Sequence, residues 1–233
     1  MRSEKKAYTR SWPQRVFYSL LRITARLVAV SLYRIRVFGR ENWPTEGGAL
    51  VCANHQGFFD PVLVGLCCER QLSFLAKQSL FKFPLKPLIE TLNAIPVNRA
   101  GTGLDGLKET LKRLRGGDFV LIFPEGTRSE NGDMGNLKPG FIAVARKGKA
   151  PIVPVVFDGS FQAWPKWQLL PSVGMVHVKI GQPIAPEEMA ELTDDQLLAK
   201  LQERMHAMFA EMQYSRARSL NPRIHTADKT QFA

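Results

Sequence analysis

Residues 49–60 read ALVCANHQGFFD, an apolar run followed at once by a polar loop that contains glycine. Residues 119–129 read FVLIFPEGTRS and have the same arrangement. Short apolar runs bounded by turn residues are typical of buried strands. In an open α/β sheet, ligands bind beyond the carboxyl ends of the strands. The two polar segments are therefore predicted to face one crevice, although about 70 residues separate them in sequence.

Strand and helix patterns alternate outward from these two segments. The chain has 233 residues, enough for one domain with a full hydrophobic core, and no linker or repeat divides it. The pattern predicts an α/β fold, a single domain with a central mixed, mostly parallel sheet flanked by helices. The predicted strands span 34–38, 49–54, 72–76, 94–97, 118–123, 152–157 and 175–180. The predicted helices span about 60–70, 79–92 as two kinked pieces, 102–115, 139–148 and, from a capping box at 193–196, a last one ending near 214.

Positive charge is concentrated at the amino-terminal end. The net charge is +11, and residues 1–40 hold ten Lys or Arg and one acidic residue, a net +9. Such a basic end indicates an anionic partner. Residues 16–33 are mostly apolar, and Arg22 and Arg26 continue a polar stripe that begins at Arg15. A wide apolar face beside a narrow basic stripe is typical of a helix lying in the membrane interface.

Residues 1–33 are therefore predicted to form an amphipathic helix that docks on an anionic membrane surface. A spanning helix is disfavoured, because each of its two arginines would cost about 3 kcal/mol at the bilayer centre. The alternative is a helix that packs on the domain with its arginines in solvent. Residues 34–214 are predicted to be the folded domain, and 215–233 a disordered basic tail. No nucleic-acid motif is present, so nucleic acid is not a predicted partner.

Neither a metal nor a bound cofactor is predicted. The three cysteines, Cys52, Cys67 and Cys68, lack the spacing of zinc ligands and are predicted to pack in the core. Their odd number and the absence of a signal peptide indicate a reducing compartment. A reducing compartment and the basic amino-terminal end together predict a peripheral or monotopic protein on the cytoplasmic face of a membrane.

His55 and Asp60 are the residues of the first segment that suit proton transfer. A histidine that is neutral near pH 7 is a natural general base for a hydroxyl group, and it needs a partner that stabilises the imidazolium. A loop turning into a helix can fold Asp60 back towards His55. Asp60 also precedes Pro61 and is a good helix cap, which is the more common role for this spacing alone.

The second segment suits an anion. Gly126 permits close backbone approach, and Thr127 and Arg128 donate hydrogen bonds to phosphate, arginine in a bidentate manner. Arg99, after another predicted strand, offers a second guanidinium. Glu125 would repel phosphate, so we expect it to orient an arginine or to accept from a hydroxyl group. The alternative is a turn with a structural Glu–Arg pair.

No attacking side chain is evident, since the sequence lacks the Gly-x-Ser-x-Gly elbow of serine hydrolases. A histidine base without a protein nucleophile indicates that the hydroxyl group of the substrate itself attacks. The predicted reaction is acyl transfer by direct displacement.

Four blocks of the chain occur in order: His55-x4-Asp60, residues 95–99 (IPVNR), residues 123–129 (FPEGTRS) and residues 152–155 (IVPV). Together they resemble the blocks of the glycerolipid acyltransferase family, the lysophosphatidate acyltransferases and their relatives. The resemblance covers about residues 35–185. One departure is Gly57, where the family often has serine.

The resemblance implies a role for each matching residue. His55 is the implied base and Asp60 its partner, and Pro154 is implied to help shape the acyl or acceptor pocket. Lys77 falls where such sequences carry a similar residue. The residues implied to surround the phosphate and glycerol of the acceptor are Arg99, Glu125, Gly126, Thr127 and Arg128.

The resemblance also implies the reaction. A fatty acyl group would pass from acyl-CoA or acyl-carrier protein, as co-substrate, to the free hydroxyl of a lysophospholipid. The first expected acceptor is 1-acyl-sn-glycerol 3-phosphate. The alternatives are another lysolipid acceptor such as a lyso-aminoacyl lipid, hydrolysis of the thioester, and a non-catalytic module that binds membrane lipid.

Overall fold

A computed structural model describes residues 33–70, 72–82, 93–97 and 104–221 of the chain. The remainder of the predicted kinked helix, the predicted binding residue Arg99 and the end of the predicted tail lie outside the described residues. So does most of the predicted docking helix. Six positions of that segment are described, and all six are helical and exposed: Trp12, Val16, Leu20, Ile23, Thr24 and Leu27.

The described strands form one mixed sheet, as predicted. The strands are β1 Tyr33–Phe38, β2 Ala49–Ala53, β3 Leu72–Lys77, β4 Ala94–Val97, β5 Phe119–Ile122, β6 Ile152–Asp158 and β7 Gly174–Ile180. Their spatial order is β1-β7-β6-β2-β5-β3-β4, and the only antiparallel neighbours among these seven strands are β6 and β7. Strands β2 to β6 therefore run in one direction, and β1 and β7 run in the other.

Helices cover both faces of this sheet. On β2, alternate side chains enter opposite cores: Leu50 and Cys52 belong to one cluster, and Val51 to the other. Because both faces are buried, every residue of β2 and β5 is apolar, which explains the unbroken apolar runs in the sequence. The described helices are Asp60–Cys67, Leu104–Arg115, Gly140–Gly148, Ser160–Ala163, Pro186–Ala190 and Asp194–Leu220, with 3₁₀ turns at Arg40–Asn42 and Gln78–Leu80.

The strand directions place both polar segments at one edge of the sheet. Strands β2 and β5 are parallel neighbours, and β6 is the parallel neighbour on the other side of β2. The loops that follow Ala53, Ile122 and Asp158 therefore begin side by side, at what we call the site edge. Strand β7 runs back, so the residues after Ile180 lie at the opposite edge. The prediction that the two segments face the same side of the sheet is confirmed.

The prediction that residue 215 begins a disordered tail is wrong for residues 215–220. The final helix does not end near 214 but continues to Leu220. Arg216 in this extension forms an ion pair with the buried Asp158 at the end of β6. The hydroxyl group of Ser219 accepts a hydrogen bond from Arg36 of β1, 3.0 Å away. These long-range polar contacts hold a segment whose polar composition predicted disorder.

None of the helices that the structure describes has both the length and the apolar character needed to cross a bilayer.

The predicted capping box is present at the start of the final helix. Thr193 Oγ1 accepts from the backbone of Gln196 at 3.2 Å, and Gln196 Oε1 accepts from the backbone of Thr193 at 2.9 Å. Replacing Thr193 with Ala should lower the free energy of unfolding by about 1 kcal/mol, because one backbone N–H loses its partner. Thermal or urea unfolding measures this, with Thr193→Ser as the control that keeps the hydroxyl. Equal destabilisation by both substitutions would contradict a capping role.

Candidate active site

His55 and Asp60 form a close pair at the site edge. His55 Nδ1 lies 2.8 Å from Asp60 Oδ2. A carboxylate accepts, so the proton of the neutral ring resides on Nδ1 and Nε2 carries the free lone pair. The side chain of His55 is 19% exposed and that of Asp60 is fully buried. The pair therefore presents a basic nitrogen with its orienting carboxylate enclosed behind it.

Asp60 folds back into the loop instead of capping the helix. The helix begins at Asp60 itself, with Phe59 at the cap position and without a side-chain cap. Besides the His55 ring, Asp60 Oδ2 accepts from the backbone N–H of Gln56 at 2.7 Å and of Gly57 at 2.8 Å. Three donors on one oxygen fix the carboxylate and the turn around it. The competing prediction of a helix cap is therefore wrong.

The His55 ring is also held from its face. The ring of Phe123, directly after β5, stacks on it with centroids 3.9 Å apart and planes 15° apart. The backbone carbonyl of His55 accepts from the N–H of Ser129 at 2.7 Å. Since both contacts come from the second segment, the orientation of the imidazole depends on the loop that follows β5.

Glu125 joins the two loops. Its Oε1 accepts from the backbone N–H of His55 at 2.7 Å, and its Oε2 accepts from that of Gly135 at 2.9 Å. Burial raises the pKa of Glu125, while these two N–H groups and the nearby His55 oppose the rise. Both oxygens thus bind backbone groups, and the expectation that Glu125 orients an arginine or accepts from a hydroxyl group stays a prediction.

The described remainder of the predicted anion site, Gly126 to Arg128, lies beside the histidine loop. Gly126 has a φ of 76°, a left-handed conformation that favours glycine, and Thr127 is exposed. The guanidinium carbon of Arg128 lies 3.8 Å from the ring centroid of Phe58. Burial lowers the pKa of Arg128, and the charge of Asp60 opposes this. One buried nitrogen of Arg128, Nη1, has no hydrogen-bond partner in the described part of the chain.

Two buried amides of the first segment, which the sequence did not single out, position the loop. Gln56 donates to the carbonyl of Gly132 and accepts from the hydroxyl group of Ser160 at 3.2 Å. Asn54 donates to and accepts from the backbone of Phe157 on β6, at 3.0 and 2.7 Å. A buried amide must be hydrogen-bonded, so polar residues directly after an apolar strand are the available sequence signal.

Gly57 lies where no side chain fits. A Cβ atom there would stand 2.8 Å from the carbonyl oxygen of Ser160 and 2.9 Å from that of Trp164. A serine at this position, as in the resembled family, would therefore require the 160–164 backbone to shift.

The other predicted site residues are only partly described. Lys77 is the last residue of β3, which ends at the site edge, and its side chain is not described. Pro154 is buried within β6 opposite Cys52 of β2, four residues before the strand ends. Its role in a pocket stays a prediction. Within the described ranges, no three His, Cys, Asp or Glu residues are grouped as a metal ion would need.

Glu125 offers a direct test of this loop arrangement. In Glu125→Gln the amide nitrogen would face a backbone donor, and an unpaired buried donor costs about 1–3 kcal/mol. We expect a lower melting temperature, measured by calorimetry. The control is Glu130→Gln, which loses only an exposed ion pair with Lys166, a kind of contact that contributes little. An unchanged melting temperature in Glu125→Gln would contradict the joining role.

Several known proteins are similar to this chain. The 1-acyl-sn-glycerol-3-phosphate acyltransferase of Bacillus subtilis (strain 168) is 29% identical over 181 residues, which cover 77% of this chain and 88% of the relative. The protein of that name from Pseudomonas aeruginosa is 32% identical over 202 residues, covering 80% and 70%. A chloroplastic relative from Arabidopsis thaliana is 29% identical over 170 residues, covering 71% of this chain and about half (48%) of the relative.

The fold has a match among solved structures. The crystal structure of the 1-acyl-sn-glycerophosphate (LPA) acyltransferase PlsC from Thermotoga maritima superposes with a TM-score of 0.73 at 26% sequence identity, covering 91% of this chain and 84% of that one. A family model described as Acyltransferase matches residues 34–158, which include the His55–Asp60 pair and the Glu125 loop. The chain belongs to the acyltransferase family.

Proposed function

We propose that this chain transfers a fatty acyl group from acyl-CoA or acyl-carrier protein to the free hydroxyl of 1-acyl-sn-glycerol 3-phosphate, giving phosphatidate. The observation that carries the proposal is the hydrogen bond that orients His55 against Asp60. The same loop carries Phe58, whose ring packs against the guanidinium of Arg128. The names of the similar proteins support the choice of acceptor.

His55 acts as the general base. Its Nε2 takes the proton of the acceptor hydroxyl as the oxygen attacks the thioester carbonyl, and Asp60 stabilises the imidazolium. When the tetrahedral intermediate collapses, the imidazolium returns the proton to the departing thiolate. The new ester bond and the free thiol are thus formed without a change in the net protonation of His55.

Direct displacement agrees with the surroundings of the base. The nearest candidate nucleophile in sequence, Cys52, is fully buried in β2, and burial raises the pKa of its thiol. The hydroxyl group of Ser129 is engaged with Asn131 and with the backbone of Gly132. Neither side chain is available to form an acyl-enzyme.

Arg128 and Thr127 bind the phosphate of the acceptor. The buried, unpartnered Nη1 of Arg128 supports this role, because such a donor is unfavourable until an acceptor arrives. Arg99 follows β4 in sequence, and Lys77 is the last residue of β3. These two strands run parallel towards the site edge. Arg99 and Lys77 are proposed as further cations around the phosphate, and Pro154 as part of the pocket wall.

Membrane docking supplies the lipid. The proposal places the protein on the cytoplasmic face, bound peripherally or monotopically through residues 1–33. It is supported by the net charge of +9 over residues 1–40. The exposed helical positions Trp12, Val16, Leu20, Ile23 and Leu27 are spaced by 4, 4, 3 and 4 residues, the spacing that an apolar face of an amphipathic helix requires.

Replacing His55 with Ala should lower kcat by roughly 10²–10⁴-fold, the usual contribution of a general base. The assay incubates the full chain with mixed lysolipids and acyl-CoA or acyl-carrier protein, and identifies the acylated product by mass. His206→Ala, an exposed histidine on the final helix, is the matched control. Near-normal turnover in His55→Ala would remove His55 from the mechanism, and exclusive acylation of another lysolipid would refute the acceptor.

Replacing Arg128 with Gln should mainly raise KM for the phosphate-bearing acceptor, by roughly 10- to 100-fold, because a charge-assisted hydrogen bond is lost. KM for a monoacylglycerol without phosphate should hardly change. Arg115→Gln, on the exposed side of the Leu104–Arg115 helix, is the control. Equal effects of Arg128→Gln on both acceptors would exclude phosphate contact at this residue.

A further inference from the structure

An apolar loop at the site edge contributes no side chain to the proposed proton transfer or phosphate binding. Residues 164–173, the apolar loop, follow the short helix Ser160–Ala163 and lead into β7. Their sequence, WPKWQLLPSV, contains no acidic residue. Trp167, Leu169, Leu170 and Val173 are 62%, 88%, 71% and 77% exposed. Exposed apolar side chains grouped in this way mark an interaction surface.

The apolar loop is an ordered structure. Its ends meet where the backbone N–H of Ser172 donates to the carbonyl of Ala163 at 2.8 Å. Gln168 donates to the hydroxyl group of Ser172 at 2.7 Å, and its carbonyl accepts from the indole of Trp164 at 3.0 Å. Polar groups are satisfied within the loop, and the leucine side chains extend outward, as in a compact Ω-loop.

The apolar loop is joined to the catalytic loop. The ring of Trp164 lies 5.6 Å from that of Phe58 and 5.8 Å from that of Phe59, and its carbonyl accepts from the backbone of Phe58. Phe58 is itself 49% exposed and lies under Arg128. The apolar loop thus packs directly against Phe58, on the loop that carries His55.

We propose that the apolar loop inserts into the surface of an anionic lipid bilayer and sets the site edge against it. The proposal rests on the proposed function, since a lipid acceptor must reach His55 from a membrane. A tryptophan beside leucines, with a lysine in the same turn, is typical of a segment at the membrane interface. The nearby acid Glu130 is paired with Lys166 at 2.6 Å, so its negative charge repels anionic lipid less than an unpaired carboxylate would.

Charge favours lipid over a protein partner. The chain carries +11, which attracts it to anionic bilayers, and Arg128 adds positive charge beside the ring of Phe58, which contacts the apolar loop. A second copy of this chain would bring equal positive charge to the same surface. A bilayer therefore fits the apolar loop better than self-association does.

Insertion is measured with a label at the loop tip. In full-length Leu170→Cys, an environment-sensitive nitrobenzoxadiazole label reports burial, and the native cysteines are enclosed at 0–3% exposure. Adding vesicles of phosphatidylglycerol and phosphatidylethanolamine should shift its emission to the blue. The same label at Glu191→Cys, exposed at the opposite edge, should not shift. No shift at Leu170, or equal shifts at both positions, would overturn the proposal.

The energetic contribution is measured by flotation of the same vesicles. The double variant Leu169→Ser and Leu170→Ser should bind at least about tenfold more weakly, given the apolar area of two leucines. The variant with Met at both positions should bind like the unaltered chain. Equal melting temperatures exclude unfolding as the cause. Unchanged vesicle binding of the serine variant would overturn the proposal.

These measurements separate the apolar loop from the reaction. A blue shift in a chain that acylates no lysolipid would support insertion while the proposed function fails. Acylation of lysolipid by a chain whose label never shifts would support the function while insertion fails. A shift that appears without vesicles, rises with protein concentration and accompanies dimer formation in light scattering would replace the bilayer with a second copy and overturn the proposal.

Discussion

The carboxylate of Glu125, bound by the backbone N–H groups of His55 and Gly135, is the interaction on which the site depends. It joins the loop after β2 to the loop after β5. The N–H of Ser129, which donates to the carbonyl of His55, is a second link between these loops. The parallel pairing of β2 and β5 brings the two loops together, and the buried acid and this hydrogen bond fix how they meet.

Two buried carboxylates thus organise the site by accepting backbone hydrogen bonds. Asp60 binds two N–H groups of its own loop as well as the imidazole. Burial is the main cause that raises the pKa of Glu125, the charge of Asp60 adds to the rise, and His55 opposes it. Asp60 is already fixed beside the imidazole, so the proton transfer proposed for His55 would need little reorganisation.

The sequence predicted the parts of the structure that depend on local pattern. Apolar runs located the strands that precede His55 and Glu125, and the parallel order of these strands brought the two loops to one edge. The sequence did not predict the role of Glu125, because its two backbone donors are 70 and 10 residues away. The end of the final helix was missed for the same reason, since the partners of Arg216 and Ser219 lie on distant strands.

The close approach at Gly57 has a consequence for how the loop after β2 can change. Gly57 is buried, and the carbonyl oxygens of Ser160 and Trp164 lie so close to it that a Cβ atom would meet backbone. A single substitution at position 57 therefore cannot introduce a new hydroxyl without a shift of the 160–164 segment. Changes in these two segments are consequently expected to be non-additive.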